Sequence, residues 1–158
     1  MARFHDSAMV GLFIGLAFAA YGDGNLGPDK LSLLQDSGGW EYLSMDNIPN
    51  GFPTNHVCFD GQPHPDICSG TLTLSKDNNF TQTTNIGQQS LSRQGTYQLT
   101  GSQLTFFDET GNKDGPFVIN IDPDKKLMTM DAPPLKIKLQ LYKEYKKQLE
   151  EKNKNKKK

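Results

Sequence analysis

This chain has no glycine-rich phosphate or dinucleotide loop, no nucleophile motif around Ser69, Ser90 or Ser92, and no convincing internal repeat. Those absences remove nucleotide-dependent chemistry, the serine-hydrolase families and repeat architectures from consideration. The body of the chain also lacks a basic face. Between Tyr21 and Lys143 there are 14 acidic and 9 basic residues, so a nucleic-acid partner is not expected. Apolar residues make up 35% of the sequence and mean hydropathy is −0.61, which limits the core to a modest size. Acid–base catalysis needs paired groups held in a cleft. The acidic pairs Asp108-Glu109 and Asp122-Asp124 sit instead at turn signals and read as solvated turn residues. No enzyme activity and no cofactor are expected.

Cysteine is scarce as well, with only Cys58 and Cys68. In an exported chain this even count favours one disulfide, which would close the loop between them and stabilise the fold by roughly 2–3 kcal/mol. His56, Asp60, His64 and Asp66 lie nearby and are zinc-ligand types, but their spacing matches no familiar zinc pattern and no metal site is assigned. Pro63 and Pro65 around His64 suit an exposed turn.

Residues 1–20 look like a secretory signal. Arg3 supplies the positive end, Ala8 to Phe18 an uncharged apolar run, and Ala17-Phe18-Ala19 the small residues of a cleavage site after Ala19 or Ala20. The rival reading is a retained membrane helix. Gly11, Gly15 and Ala19 have the spacing that lets such helices approach closely, although the run is short for a span. The location implied is secreted or periplasmic, or membrane-anchored outside the cytoplasm. Residues 21–37 read as a linker with a short helix through Leu34, capped by Asp29, or as an ordered loop, at one end of the following domain.

The organising stretch is Leu135 to Tyr142. Leu135, Ile137, Leu139 and Leu141 alternate with Lys136, Lys138, Gln140 and Tyr142, which makes one face apolar and the other largely polar. A half-buried strand of this kind needs a closed or layered sheet around it. Seven earlier segments supply one. Gly38 to Ser44 carries Trp40. Gly70 to Ser75 carries Leu72 and Leu74, and after the turn Lys76-Asp77-Asn78 comes Asn79 to Thr84 with Phe80. Gly95 to Thr100 carries Tyr97 and Leu99, then Gly101-Ser102 turns the chain into Gln103 to Asp108 with Leu104 and Phe106. The polar stretch Thr110 to Gly115 precedes Phe117 to Ile121, which carries Ile119 and Ile121. Lys126 to Asp131 carries Met128 and Met130. Short strands joined by tight turns predict an all-β fold, an eight-stranded antiparallel up-and-down barrel over residues 38–143.

Gly38-Gly39-Trp40 resembles the G-x-W signature of lipocalins and their calycin relatives. Gly70 to Leu74 with Lys76 to Thr81, then Gly95 to Leu99 and Gln103 to Phe106, is similar to bacterial lipocalin-like domains, and the likeness runs from about Leu34 to Lys146. Lipocalins commonly pack an arginine of the last strand over the tryptophan; here Lys138 or Lys143 stands in that region. The resemblance implies an exported, non-enzymatic barrel that takes a small apolar ligand or a protein partner. Independently of it, Trp40 is a large apolar group with one N–H to satisfy, and it is expected to seal the barrel's closed end. The expected inward set is Leu72, Leu74, Phe80, Tyr97, Leu99, Leu104, Phe106, Ile119, Ile121, Met128, Met130, Ile137 and Leu139. It lines a pocket or fills a core; sequence alone leaves both open.

Residues 144–158 form a basic tail. Tyr142, Tyr145 and Leu149 are spaced to share a helical face against the barrel wall. Lys152 to Lys158 holds only lysine and asparagine, is expected to be disordered, and could touch an acidic membrane surface. An alternative function follows from these ends of the chain: an accessory subunit of a membrane or envelope complex, anchored by residues 8–20. Asn79-Phe80-Thr81 matches a glycosylation sequon, relevant only in a eukaryotic source.

Overall fold

The apolar alternation of the sequence closes on itself. The computed structural model describes residues 25–47, 68–86 and 88–157. In chain order these form helix α1 (Pro28–Leu34) and strands β1 (Trp40–Asp46), β2 (Cys68–Leu74), β3 (Asn79–Ile86), β4 (Gln89–Thr100), β5 (Gln103–Asp108), β6 (Lys113–Asp122), β7 (Leu127–Ala132) and β8 (Leu135–Leu141), followed by helix α2 (Tyr142–Asn155). Each strand pairs antiparallel with the next, and β8 pairs back onto β1, so the eight strands make a closed up-and-down barrel. Closure leaves no sheet edge along the β8–β1 seam, where Trp40 pairs with Leu141 and Tyr42 with Leu139.

Turn chemistry explains the boundaries. Asn78 and Lys126 take φ values of 60° and 56° at the β2–β3 and β6–β7 turns, and Gly101 takes 61° between β4 and β5. α1 starts with Pro28, whose missing N–H costs nothing in the first turn. Gly27 occupies the N-cap with no side-chain cap bond. Asp29, expected to cap, lies instead in the first turn, where the helix dipole favours an acid. Seven residues cannot hold a helix alone. Packing does so: Leu34 is fully buried, and Leu31 and Leu33 lie against the core.

The inward faces form one cluster, from Leu34 and Trp40 at one end through Phe80, Leu104, Ile121, Met128 and Leu139. Phe80, Phe106 and Phe117 run through it edge to face, with centroids 4.9 and 5.9 Å apart. Trp40 closes the α1 end. It is fully buried, and its Nε1–H donates to the Leu34 carbonyl at 3.2 Å. Gly39 beside it has φ +72°, and a Cβ there would stand 2.8 Å from the Leu72 carbonyl oxygen, so glycine is required where the chain enters the barrel. Tyr97 completes this end, donating to the Ser75 carbonyl at 2.7 Å and accepting from Gln35 Nε2 at 2.8 Å.

Several boundaries differ from the sequence reading. β1 runs to Asp46 rather than ending at Ser44, and β8 stops at Leu141 because Tyr142 begins α2. β4 begins at Gln89, six residues before Gly95, because it pairs with β3 from Ile86↔Gln89 onward. Lys113 to Gly115, the second half of the stretch read as polar and lying before the strand, belong to β6. Leu99 is only partly buried at the margin of the core. Tyr145 is buried on the barrel wall, but Tyr142 is 39% exposed and does not share that face. The tail expected to be disordered from Lys152 is helical through Asn155. Lys152 and Lys154 in its last turn complement the helix dipole, and Glu150 stands four residues before Lys154. The presumed signal at residues 1–20, the partner cysteine Cys58, the Cys68 side chain and the His56–Asp66 cluster lie outside what the structure describes.

Candidate functional site

The end opposite α1 is where the filled core gives way to space. A cavity of about 230 Å³ opens there, lined by Tyr42, Met45, Gln82, Arg93, Phe106, Asp114, Phe117, Met130, Leu135 and Ile137. Its floor is the aromatic column of Phe106 and Phe117 with Met130 and Ile137, all nearly buried. Its rim is polar: Arg93, Asp114 and Gln82.

Two β-bulges build this site. Along β6, Phe117, Ile119 and Ile121 face inward, so strict alternation would turn Asp114 outward. Leu104 pairs with Phe117 and Phe106 with Asp114, which leaves Gly115 and Pro116 opposite the single residue Thr105. The extra residue slips the alternation by one and puts Asp114 on the same face as buried Phe106. Pro116 has no N–H to give a ladder, and Gly115 has φ +110° with the Leu104 carbonyl oxygen 2.8 Å from where a Cβ would stand. The second bulge lies in β1. Tyr42 pairs with Leu139 and Met45 with Ile137, so two residues, Leu43 and Ser44, oppose Lys138 alone. Without it Met45 would face solvent; with it, Met45 joins Tyr42 inside.

Arg93 reaches the rim from the part of β4 that extends past β5. β5 pairs with β4 only from Gly95↔Asp108 onward, while β3 continues beside β4, with Gln82 opposite Arg93. The Arg93 guanidinium lies 2.7 Å from Asp114 Oδ2 and 3.7 Å from Asp108 Oδ2. Asp108 is held in a local turn: its Oδ1 accepts from the Thr110 hydroxyl at 2.6 Å, the Thr110 amide at 3.0 Å and the Asn112 amide at 2.9 Å. Those donors, the Thr110 hydroxyl foremost, outweigh desolvation and hold its carboxyl at about 2. Burial pushes the Tyr42 phenol well above its ordinary value, against the pull of Arg93, so it stays neutral.

On the outer face, behind Tyr42, Glu41 is 2% exposed. β1 and β2 share only the pairs Trp40↔Leu72 and Glu41↔Thr71, and beyond them Glu41 Oε1 accepts from the Gly70 amide at 2.8 Å. A side chain thus takes a donor that the ladder leaves unpaired. Tyr145 of α2 lies near it, and its phenol is pushed up to about 12 by burial and by Glu41. Burial raises Glu41 from 4.5 to about 7, with the Gly70 amide working against the rise.

Of the residues expected to face a pocket, the structure brings Phe106, Met130 and Ile137 to the cavity. Leu72, Leu74, Phe80, Tyr97, Leu104, Ile119, Ile121, Met128 and Leu139 are packed in the filled part of the barrel. Tyr42, Met45, Gln82, Arg93 and Asp114 were not singled out by sequence. The one available signal was Gly115-Pro116 at the head of an alternating run, a pair that marks a bulge. Lys143, one of the two lysines in the region of the lipocalin arginine, pairs at 3.1 Å with Asp36, which also caps the Gly38 amide at 2.8 Å. Among the described residues there is no group of metal-ligating side chains. No protein-family model, curated protein or solved structure matches this chain.

Proposed function

We propose that this protein is an exported, non-enzymatic barrel of lipocalin-like type that binds one small, mainly apolar ligand at the end opposite α1. The observation that carries this reading is the cavity of about 230 Å³ above Phe106, Phe117, Met130 and Ile137. A site of roughly 150 Å³ with apolar walls holds a benzene, so this one admits a single ring with a short substituent. It is smaller than the roughly 300–1,000 Å³ that drug-sized ligands occupy, which argues against a long lipid chain. The closed end supports the same reading, because a barrel plugged at one end exposes its interior at the other.

The test is titration with toluene followed by methyl and aromatic NMR. Shifts at Met45, Met130 and Ile137 that saturate together, and that weaken at least tenfold in Met45→Trp with an unchanged unfolding midpoint, support the proposal. Shifts confined to the outer wall would refute it.

A second reading, contact with an acidic membrane surface, draws on the end of α2 and the residues just after it, which carry exposed lysines at Lys152, Lys154, Lys156 and Lys157. Among the described residues no helix is long and apolar enough to cross a membrane. Sedimentation with vesicles containing phosphatidylserine, and its loss at high salt or on truncation after Leu149, tests it. Equal binding to neutral vesicles would remove it.

A further inference from the structure

We propose that the ligand of this cavity is a cation: a small amine with an aromatic or branched apolar body, its ammonium group seated on Asp114. The inference rests on the cavity being the binding site and names the chemistry it selects.

Two carboxylates meet one guanidinium beside the cavity. Asp114, which lines it, lies 2.7 Å from Arg93, and Asp108, outside the lining, lies 3.7 Å from the same group, so the three together are net negative. The two acids are not equivalent. Asp108 is saturated, since Thr110 and Asn112 fill Oδ1 and Asn112 Nδ2 adds a bond to Oδ2 at 3.2 Å. Asp114 uses Oδ2 for Arg93, and its Oδ1 has no partner among the described residues. It is also the acid that the β6 bulge turns to the cavity side. An incoming donor therefore finds an accepting oxygen already oriented by Arg93.

An anionic ligand finds the reverse. To bind Arg93 it must share the guanidinium with Asp114 or displace it, and in either case it sits beside that carboxylate. The nearest lysine on β8 gives no help: Lys136 lies on the outer face, in register with Asp46 and Asp131. Phe106 and Phe117 line the floor, and an aromatic ring attracts a cation placed over its face while it offers a carboxylate nothing there. A neutral alcohol of the same shape keeps the apolar contacts and a hydrogen bond but loses the charge. The order expected is amine, then alcohol, then carboxylate.

The experiment compares 2-phenylethylamine, 2-phenylethanol and 3-phenylpropanoate at neutral pH and low salt, by calorimetry and by NMR shifts at Met45 and Met130. The amine is expected to bind about tenfold more tightly than the alcohol, as befits one partly exposed charge pair, and the carboxylate more weakly than either. Asp114→Asn should collapse the amine-to-alcohol ratio to about one. Added salt should lower that ratio too. If the carboxylate binds as well as the amine, or if Asp114→Asn keeps the ratio, the cation assignment is overturned while the cavity stands. If none of the three shifts the cavity methyls at millimolar concentration, the cavity reading falls and this inference with it.

Discussion

The two ends of the barrel are made of the same alternating strands and behave differently. At the α1 end, pairing is regular, Trp40 and Leu34 are fully buried, and the polar atoms carried inward by Trp40 and Tyr97 are bonded within the protein. At the other end, one extra residue in β1 and one in β6 break the alternation, and the interior receives Met45 and Asp114 where unbroken alternation would place Ser44 and Gly115. An unbroken pattern fills a barrel, and a slipped one leaves room and brings charge to it. The plug and the pocket thus differ by register rather than by composition.

The largest test of that contrast hollows out the filled end. Trp40→Ala is expected to cost about 3–5 kcal/mol, through lost burial and a cavity that cannot collapse. Urea unfolding measures it, and a loss below about 1 kcal/mol would mean that the α1 end is not the anchor.

Next is the seam between the ends, at Glu41. Its folded-state value is raised from 4.5 to about 7, so between these values the folded protein holds a proton that the unfolded chain has released. Stability should therefore be highest below about pH 4.5 on this account, fall as pH rises to about 7, and level off above. Glu41→Gln keeps an oxygen for the Gly70 amide and removes the charge. It is expected to flatten that slope and to exceed the parent at pH 8 by on the order of 2–3 kcal/mol. Parallel pH profiles for the two proteins would contradict this origin.

At the open end, Gly115→Ala forces a Cβ onto a backbone at φ +110° and against the Leu104 carbonyl. About 1–3 kcal/mol should be lost, with resonance shifts concentrated at Phe106, Asp114 and Phe117. A neutral outcome would show that the bulge tolerates a side chain and that its geometry is not held by glycine. The smallest effect belongs to the exposed rim of the closed end. Lys143 is 65% exposed in its pair with Asp36, so Lys143→Ala should change stability by less than about 0.5 kcal/mol. A loss above 1 kcal/mol would give the charged rim a share in the plug that burial alone does not predict.

Some of this was readable in the chain. Leu135 to Leu141 announces a strand with one wet face, and the runs around Leu72, Phe80, Leu104, Ile119 and Met128 announce its neighbours. Trp40 after two glycines marks the closed end. The polar half of β4 was not legible, because Gln89 to Gln94 carries no apolar alternation and is a strand only through its pairing with β3. The helical reach of α2 was hidden for a related reason, since a lysine-rich composition says solvated and says little about backbone conformation.

Alone, the sequence determined the number of strands, their up-and-down order and the residues that turn away from water, because side-chain alternation is a local property of an extended backbone. Only the tertiary structure decided which end is filled and which is open. That depends on where one strand carries an extra residue opposite its neighbour, and a register slip exists only once both strands are paired.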